Sequence, residues 1–260
     1  MLRLVFVVTM LFATFAYAEV RVFDYPECKI YAIEDAPTRP KASLFASVNP
    51  RERFVQTAED YAGSINVFVV EFKSTSKRVM IDTGLGAPKG SLMAELRQAK
   101  IAPESISDIL ITHIHPDHVG GLRGFPTAKV HIAKVEYEAW EEDSSRQGLA
   151  KHLPRGKNLI LFEYDTEVVP GIHAIKCAGH TPGHTVFQMG KRYFVGDVFH
   201  AVDLQVAHPS FCAEYDMAPR EAAASRKKAL KNFRGEWFGA HIPFPGNLRV
   251  GNASAKESHR

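Results

Sequence analysis

Several residue types and patterns that mark specialised proteins are scarce in this 260-residue chain. Three cysteines are too few to hold together a small disulfide-rich domain, and 18 glycines without a period do not make a collagen repeat. Neither sign of charge dominates: 32 Lys and Arg residues face 29 Asp and Glu residues, and a net charge of +3 is too weak to indicate nucleic-acid binding. The hydrophobic content of 45% predicts an ordinary globular protein with a sizeable core.

Long hydrophobic runs are also missing after the first eighteen residues. At the N-terminus, Arg3 precedes the apolar stretch Leu4–Phe15, and the sequence Ala-Tyr-Ala at 16–18 has the small-x-small pattern that a signal peptidase recognises. The apolar stretch is shorter than the roughly 20 residues that span a bilayer. We therefore predict that residues 1–18 are a cleaved signal peptide and that the mature protein is periplasmic or secreted, without stable membrane insertion.

The three cysteines, Cys28, Cys177 and Cys212, all follow the predicted cleavage site. An odd number of cysteines in an oxidising compartment leaves at least one of them unpaired or bonded to another chain. The sequence selects no pair, so disulfide formation and the oligomeric state stay open. Cys177 ends an alternating segment and is also the kind of small apolar residue that packs in a core.

Proline spacing divides the mature chain into an arm and a domain. Residues 19–61 contain four scattered prolines, which favours an arm packed over the domain rather than a set of regular elements. From residue 62 to residue 250 the patterns become regular, and residues 251–260 form a polar tail. We expect one α/β domain over residues 62–250.

Strand and helix signals alternate along this domain. Asn66–Phe72 and Arg78–Ile81 are rich in β-branched and aromatic residues around a polar turn, which predicts a hairpin. Other strands are predicted at Asp108–Thr112, Lys129–Ile132, Ile172–Cys177, Thr185–Met189 and Arg192–Val195, and helices at Leu92–Lys100, Val135–Glu142 and Pro219–Phe233. The last helix carries basic side chains that we interpret as a solvated face, namely Arg226, Lys227, Lys228 and Lys231.

The segment from Ile109 to Gly121 places a polar cluster directly after a buried strand. Side chains at i and i+2 of an extended segment point to the same face, so His113 and His115 can bind one ion together. A proline then ends the strand, and Asp117 and His118 follow on a turn, where they would face a second ion. Imidazole and carboxylate are ligands that suit zinc and its first-row neighbours.

Three later segments add side chains of the same ligand types where a strand meets a loop. They are Gly179-His180-Thr181-Pro182-Gly183-His184, Gly196-Asp197 and Ala240-His241. The order H-x-H-x-D-H, G-H-T-P-G-H, strand-ending G-D and late histidine resembles the metallo-β-lactamase-fold hydrolase superfamily over about Asn66–Gly246. The resemblance implies an αββα sandwich of the α/β class, in which two mixed sheets are flanked by helices and two metal ions lie at one edge.

The resemblance also implies which residues hold the metal ions. The first ion would be bound by His113, His115 and His180, the second by Asp117, His118 and His241, and both by a bridging Asp197. His184 matches no ligand position and is expected to support a ligand. Zinc is the expected metal, and manganese, iron and cobalt suit the same donors.

A bridging aspartate at the position of Asp197 is typical of glyoxalase II-like, lactonase-like and phosphotriesterase-like members rather than of true β-lactamases. Segments 196–200, 221–230 and 241–246 are similar to the secreted methyl parathion hydrolase-like group. Lactonases share the metal ligands but typically carry a tyrosine where this chain has His200. The resemblance thus implies an exported hydrolase of a small phosphotriester or lactone. Thioester or β-lactam hydrolysis is the alternative, and a non-catalytic metal-binding scaffold is the alternative of another class.

The implied reaction is attack by a hydroxide shared between the two ions. Two divalent ions, two carboxylates and this hydroxide leave a formal charge of about +1, so neutral or mildly anionic small molecules are acceptable substrates. We expect Asp117 to relay a proton to the leaving group. His200 either donates a hydrogen bond there or is an ordinary polar loop residue, and Asp82 either orients a ligand histidine or is a plain turn residue. The aromatic residues expected either to shape the pocket or to lie in the core are Trp140, Phe199, Phe211 and Phe244.

Overall fold

The computed structural model describes residues 19–52, 60–142 and 150–250, so the predicted signal peptide and polar tail lie outside the described residues. The strands are β1 Val20–Asp24, β2 Cys28–Thr38, β3 Phe45–Ser47, β4 Gly63–Phe72, β5 Arg78–Ile81, β6 Ile106–Leu110, β7 Lys129–Ala133, β8 Leu159–Phe162, β9 Glu167–Val169, β10 Ile172–Lys176, β11 Thr185–Met189, β12 Arg192–Gly196, β13 Phe211–Ala213, β14 Gly235–Gly239 and β15 Asn247–Val250. The α-helices are α1 Leu92–Gln98, α2 Pro116–Val119, α3 Lys134–Glu142, α4 Val202–Ala207 and α5 Pro219–Asn232.

Within these residues most strands belong to two mixed sheets. The large sheet has the order β1-β2-β4-β5-β6-β7-β8, antiparallel from β1 to β5 and parallel from β5 to β8. The second sheet has the order β15-β14-β12-β11-β10-β9, in which β12 and β14 are parallel and the other neighbours antiparallel. Strands β3 and β13 form a small antiparallel pair of their own.

The side chains of β4 show how the layers form. Val67 and Val69 point to the face that α1 and α3 cover, whereas Phe68 and Val70 point to the second sheet, as the period of two requires. Between the sheets, Phe68 packs with Phe194 and Phe238. Helix α5 covers the other face of the second sheet through Ala229, and Phe233 packs on the same face directly after the helix. The predicted αββα sandwich with two mixed sheets is confirmed.

The strand directions bring the ends of several strands to one edge of the sandwich. Strands β12 and β14 are parallel neighbours, and β10 runs in the same direction because two antiparallel steps separate it from β12. The loops after these three strands carry His180, Asp197 and His241, and the loop after β6 of the large sheet carries His113 and His115. A polar site can therefore form there, as is common at the carboxyl ends of strands in α/β proteins.

The expectation of an arm without regular elements over residues 19–61 is wrong, because β1 and β2 are strands of the large sheet. Strand β2 pairs with β4 along Cys28–Thr38, and its Cys28, Ile30 and Ala32 are buried in alternation with partly exposed residues. Two of the four prolines lie at the ends of these strands: Pro26 is in the turn before β2 and Pro37 is its penultimate residue. These prolines therefore mark strand ends, and the alternation of apolar and polar residues in β2 predicts the structure better than the prolines do.

The expectation of a solvated basic face on α5 is wrong for one residue. Lys227, Lys228 and Lys231 are exposed, but Arg226 is only 1% exposed. Arg226 lies on the same helical stripe as the buried Ala222 and Ala229. Its guanidinium donates hydrogen bonds to backbone carbonyl oxygens, those of Val198 at 2.7 Å, Phe211 at 2.7 Å and Pro209 at 3.1 Å.

The predicted hairpin is confirmed as β4 and β5, and the other predicted strands and helices are found with their ends shifted by at most two residues. All three cysteines are buried and free. Among the described residues, no helix is both long enough and apolar enough to cross a membrane.

Candidate metal centre

The seven residues predicted as metal ligands converge at this edge of the sandwich. The potential ligand atoms of His113, His115, His180 and Asp197 all lie within 4.8 Å of one another, and so do those of Asp117, His118 and His241. We call these the first and second ligand groups. Each short motif contributes to a group through a loop that follows a strand or through the short helix α2.

Ring nitrogens face one another in the first ligand group. His113 Nε2 lies 2.9 Å from His115 Nδ1, and His180 Nε2 lies 3.0 Å from the same Nδ1 atom. His180 Nε2 is also 3.3 Å from Asp197 Oδ2. The three imidazoles and one carboxylate oxygen thus surround a single small volume.

Asp197 lies between the two ligand groups. Its Oδ1 atom is 3.1 Å from His118 Nε2, and its Oδ2 atom is 3.1 Å from His241 Nε2. His241 Nε2 is also 3.4 Å from Asp117 Oδ2. The position of Asp197 therefore suits the bridging role that the resemblance implies.

Hydrogen-bond partners fix which nitrogen of three imidazoles points into the centre. The Nδ1–H of His118 donates to Asp82 Oδ2 at 2.8 Å, that of His180 to Asp216 Oδ1 at 2.9 Å, and that of His241 to the backbone oxygen of Ser64 at 2.9 Å. These acceptors carry no proton of their own in their usual states, so the proton belongs to Nδ1. With Nδ1 engaged in this way, Nε2 is the nitrogen that each ring presents to the centre, which is the usual arrangement around a bound metal.

This donor set fits divalent cations. The Nε2 atoms of His118 and His241 lie 3.1 Å from carboxylate oxygens of Asp197, a contact that is favourable when a proton or a metal cation lies between the two atoms. Within the described residues, His118 Nε2 and Asp197 Oδ1 are buried and have no hydrogen-bond partner. Buried polar atoms are almost always paired, so unpaired ones that point at each other indicate an ion site. Nitrogen and oxygen donors suit zinc.

Electrostatics keeps the central carboxylate ionised. Burial by itself would raise the pKa of Asp197, but the imidazoles of His118, His241 and His113 bring that pKa well below its ordinary range. Burial and the neighbouring imidazole of His180 lower the pKa of His115 to about 3, so this ring is neutral at physiological pH. A neutral ring next to an ionised carboxylate is the protonation state that a metal ion requires.

Asp82 lies where the sequence predicted it, against a ligand histidine. It follows β5 with a positive φ of 59°, and it also accepts hydrogen bonds from the backbone N–H and the hydroxyl of Thr112, both at 2.8 Å. Asp216 has the equivalent contact with His180, and sequence reasoning missed it. Its one sequence signal was its position just before α5, which indicates a helix start and nothing about a histidine some 36 residues away in the chain.

Glu136 of α3 is a second residue that sequence reasoning missed. Its side chain is fully buried and accepts hydrogen bonds from the backbone N–H of Ile114 at 2.9 Å and of Gly183 at 2.8 Å, and from the hydroxyl of Thr181 at 2.8 Å. A fourth bond comes from Trp140 Nε1 at 2.7 Å. One carboxylate therefore links the loop of His113 and His115 to the loop of His180.

His184 supports the centre through the backbone. Its Nε2 atom accepts the N–H of Asp197 at 2.9 Å. The close approach requires Gly196, which has a φ of 49° and whose missing Cβ would lie 2.6 Å from the same nitrogen. His184 thus contacts the backbone of Asp197 and belongs to neither ligand group.

His200 lies against the central carboxylate. Its Nε2 atom is 3.1 Å from Asp197 Oδ2, and its ring stacks on His241 with centroids 5.1 Å apart. Burial lowers the pKa of His200 to about 4, so the ring is neutral and can donate one N–H to Asp197. The structure places this histidine where it can orient Asp197, and its predicted contact with a leaving group stays a prediction.

A cavity of about 470 Å³ opens onto the centre. Its inner wall consists of ligand-group residues and their neighbours, namely His115, Pro116, Asp117, His180, Asp197, His200 and His241. Its outer wall consists of Thr38, Arg39, Pro40, Leu44 and Tyr215. The residues of the outer wall were not predicted, because they come from the segment assigned to the arm and from the loop after β13.

The aromatic residues that were candidates for shaping the pocket do not line this cavity. Phe199 stacks on Trp237 beneath α5, Phe211 packs near β3, and Phe244 packs against the core between the sheets. Trp140 is 3% exposed and contacts the ring of His115 edge-on with centroids 5.5 Å apart. The alternative, that these residues lie in the core, is the one the structure supports.

Comparison with protein-family models finds a match to the metallo-beta-lactamase superfamily over residues 60–240. Among curated proteins, an N-acyl homoserine lactonase of Bacillus sp. is 31% identical over 138 residues, which cover 52% of this chain and 54% of the relative. The N-acyl homoserine lactonase AiiA of Bacillus thuringiensis subsp. kurstaki is 30% identical over 140 residues, with shares of 52% and 54%. The chain spans about half the length of these curated relatives.

Two solved structures are similar over most of their length. A structure described as hydrolase AbOPH of the beta lactamase superfamily has a TM-score of 0.76 and 25% identity, and the match covers 91% of this chain and 94% of that one. The dizinc quorum-quenching lactonase AidC, solved with a product, has a TM-score of 0.79 and 23% identity, with shares of 92% and 95%. The likeness to AidC supports the fold.

Proposed function

Because the chain belongs to the metallo-β-lactamase superfamily, we propose that it is a dinuclear metal-dependent hydrolase that cleaves an ester-like bond in a small molecule. The proposed bond is that of a lactone or a phosphotriester. Zinc is the proposed metal, with one ion held by each ligand group and Asp197 shared between them.

The observation that carries this proposal is the convergence of imidazole and carboxylate donor atoms at the floor of an open cavity. His118 Nε2 and His241 Nε2 face the oxygens of Asp197, and His115, Asp117, His180, Asp197 and His241 all line the cavity. A purely structural ion site has no need for an opening, whereas catalysis requires ligands that substrate can approach. The same opening argues against a non-catalytic scaffold.

When bound, the two ions would lower the pKa of a water molecule and polarise the oxygen of the bond under attack. The protein supplies the rest. Asp197 is buried, with 3% of its side chain exposed, and we assign to it the spacing of the two ligand groups. Asp117 is 22% exposed and lines the cavity, so its carboxylate can reach a leaving group. The imidazoles of His118 and His241 bring the pKa of Asp117 well below its ordinary value although burial opposes this, so a proton taken up there passes on readily.

The curated relatives support lactones as the first substrates to test, and the similarity of segments 196–200, 221–230 and 241–246 to the methyl parathion hydrolase-like group supports phosphotriesters. Curated relatives at 30–31% identity are N-acyl homoserine lactonases, and a structure at 25% identity is described as a hydrolase of the same superfamily. A bridging aspartate at position 197 is atypical of true β-lactamases, which makes β-lactams a lower priority. Thioesters of the glyoxalase II type use the same kind of centre and remain the alternative.

We also propose that the protein is exported, on the strength of the signal-like pattern in residues 1–18. Expression of the full chain in a bacterial host followed by fractionation would test this. We expect the product in the periplasm or medium to begin at Glu19 by N-terminal sequencing. A cytoplasmic product that still begins at Met1 would contradict export without affecting the hydrolase proposal.

The decisive experiment measures initial rates of the purified zinc-loaded protein on a chromogenic phosphotriester, lactone, thioester and β-lactam. We expect strong turnover confined to one substrate class, lost on chelation and restored by zinc. Metal analysis of the same sample should find two ions per chain. Two bound ions without turnover of any of the four substrates would contradict the proposed function.

A further inference from the structure

The outer wall of the cavity is a built part of the fold rather than a loose cover. Strand β3 pairs with β13, so Leu44 directly precedes one strand of this pair and Tyr215 follows the other by two residues. The backbone N–H of Glu214 donates to the oxygen of Leu44 at 2.8 Å. The rings of Phe45 and Tyr61 pack edge-on with centroids 5.4 Å apart. The wall is therefore held at a defined position opposite the ligand groups.

Charge is unevenly distributed over this wall. Arg39 is the one Lys or Arg residue among the described residues that line the cavity. Its side chain is exposed, and no hydrogen bond or ion pair to it is found within the described residues. Leu44, Pro40 and the ring of Tyr215 line the same wall. A ligand thus meets an apolar surface beside a single unpaired guanidinium.

An apolar surface beside a guanidinium selects substrates by two properties: a negative charge for the guanidinium, and an apolar chain that separates this charge from the bond to be cleaved. A guanidinium prefers carboxylate or phosphate groups, which it can bind with two parallel N–H bonds. An ester that reaches the ligand groups at one end can place an apolar chain on Leu44 and Tyr215 and an anionic group at Arg39. A cationic group at that end would be repelled.

Resting on the proposed hydrolase function, we propose that the outer wall selects esters that carry a carboxylate remote from the bond to be cleaved, and that Arg39 binds this carboxylate. Arg39 is a specificity-determining residue in this proposal and takes no part in the bond cleavage. In the reaction, water adds across the ester bond, the acyl carbon keeps the water oxygen, and the leaving group departs with a proton.

The test uses matched pairs of p-nitrophenyl esters. Monoesters of adipate and pimelate carry the free carboxylate, and the same compounds with that carboxylate capped as the methyl amide are neutral. We expect the zinc-loaded protein to prefer the acid form, and Arg39→Gln to lower the ratio of kcat/KM values for acid over amide by about fivefold, mainly through KM. High salt should reduce the preference in the same direction, because the arginine is exposed.

Lys41→Gln is the matched control, because Lys41 is an exposed cation two residues away that does not line the cavity. It should keep the preference for the acid form. Equal rates on both forms in the unaltered protein, or an unchanged ratio in Arg39→Gln, would overturn the proposal and leave the hydrolase function intact.

A binding measurement separates this proposal from the proposed function. Calorimetric titration of the zinc-loaded protein with adipate and with its mono(methyl amide) needs no turnover. Weaker adipate binding in Arg39→Gln, but not in Lys41→Gln, supports the anion site even if no ester is hydrolysed, and in that case the ester-hydrolase function fails alone. Adipate binding that Arg39→Gln leaves unchanged overturns the role of Arg39.

Discussion

The inner and outer walls of the cavity differ in how tightly their side chains are held. On the inner wall, His180 and His241 each have one ring nitrogen bonded to a fixed acceptor, and Asp197 is surrounded by histidines. On the outer wall, Arg39 is exposed and Leu44 is partly exposed. The difference teaches that the fold holds the side chains needed for chemistry through fixed hydrogen-bond partners, whereas the outer wall combines a fixed backbone with exposed side chains that can adjust to a substrate.

The ligand-type side chains of the inner wall are held in place by hydrogen-bond partners that are themselves buried. Asp216 orients His180 and lies 3.4 Å from Arg226, whose guanidinium is held by backbone carbonyl oxygens. Burial alone would raise the pKa of Asp216, but His180 and neighbouring charges lower it to about 2. The residue that orients the ligand therefore stays ionised throughout the physiological range.

The largest expected effect is on the residue shared by both ligand groups. Asp197→Ala should lower kcat/KM by more than about 10³-fold, beyond the 10–100-fold that loss of an outer partner usually costs, and should reduce the metal content below two ions per chain. Metal analysis and initial rates on the best substrate would check this. Asp203→Ala, an exposed aspartate on α4, is the control. Full turnover with two ions in Asp197→Ala would remove Asp197 from the centre.

An intermediate effect is expected from the residues that orient ligands. Asp216→Asn should weaken the ion of the first ligand group, and Asp82→Asn that of the second, each by about 10–100-fold in affinity, because each loses the charged acceptor of one imidazole. Competitive chelator titration resolves the two ions as separate steps. If both variants lose the same ion, or neither loses one, the assignment of partners to groups is wrong.

The smallest effect is expected on the outer wall. Leu44→Ala should raise KM by about fivefold for substrates with an apolar chain, with kcat and metal content unchanged, because the lost contact stabilises bound substrate and transition state equally. Steady-state kinetics and metal analysis would measure this. The control is Leu161→Ala, at a leucine on β8 that is 40% exposed. It should leave KM, kcat and metal content unchanged. A fall in kcat or metal content in Leu44→Ala would contradict the idea that the outer wall affects only substrate binding.

The ligand residues could be predicted because their pattern is local. His113, His115, Asp117 and His118 lie within six residues after one strand, and the motifs of His180 and Asp197 also follow strand ends. Glu136 and Asp216 could not be predicted in the same way. Each reaches a ligand loop from a distant part of the chain, and a single carboxylate on or before a helix has no distinctive pattern.

The first part of the chain shows a different kind of limit. Strand β2 has an alternating pattern, but nearby prolines outweighed it in the prediction of an irregular arm. The same region supplies Thr38, Arg39, Pro40 and Leu44 to the cavity. Sequence gave no reason to connect them with His180 or Asp197, because the contact depends on the pairing of β2 with β4 and of β3 with β13.

The sequence by itself determined the alternation of strands and helices and the motifs of ligand-type residues, because hydrophobic periodicity and short motifs act over a few residues. Its resemblance to a known superfamily implied the αββα fold, the seven ligands and the class of metal. Tertiary structure alone decided that Arg226 is buried, that Asp216 and Glu136 position the histidines, and that Arg39 lines the cavity that opens onto the centre. These features arise where segments far apart in the chain pack together, and packing partners are set by the whole fold rather than by any local pattern.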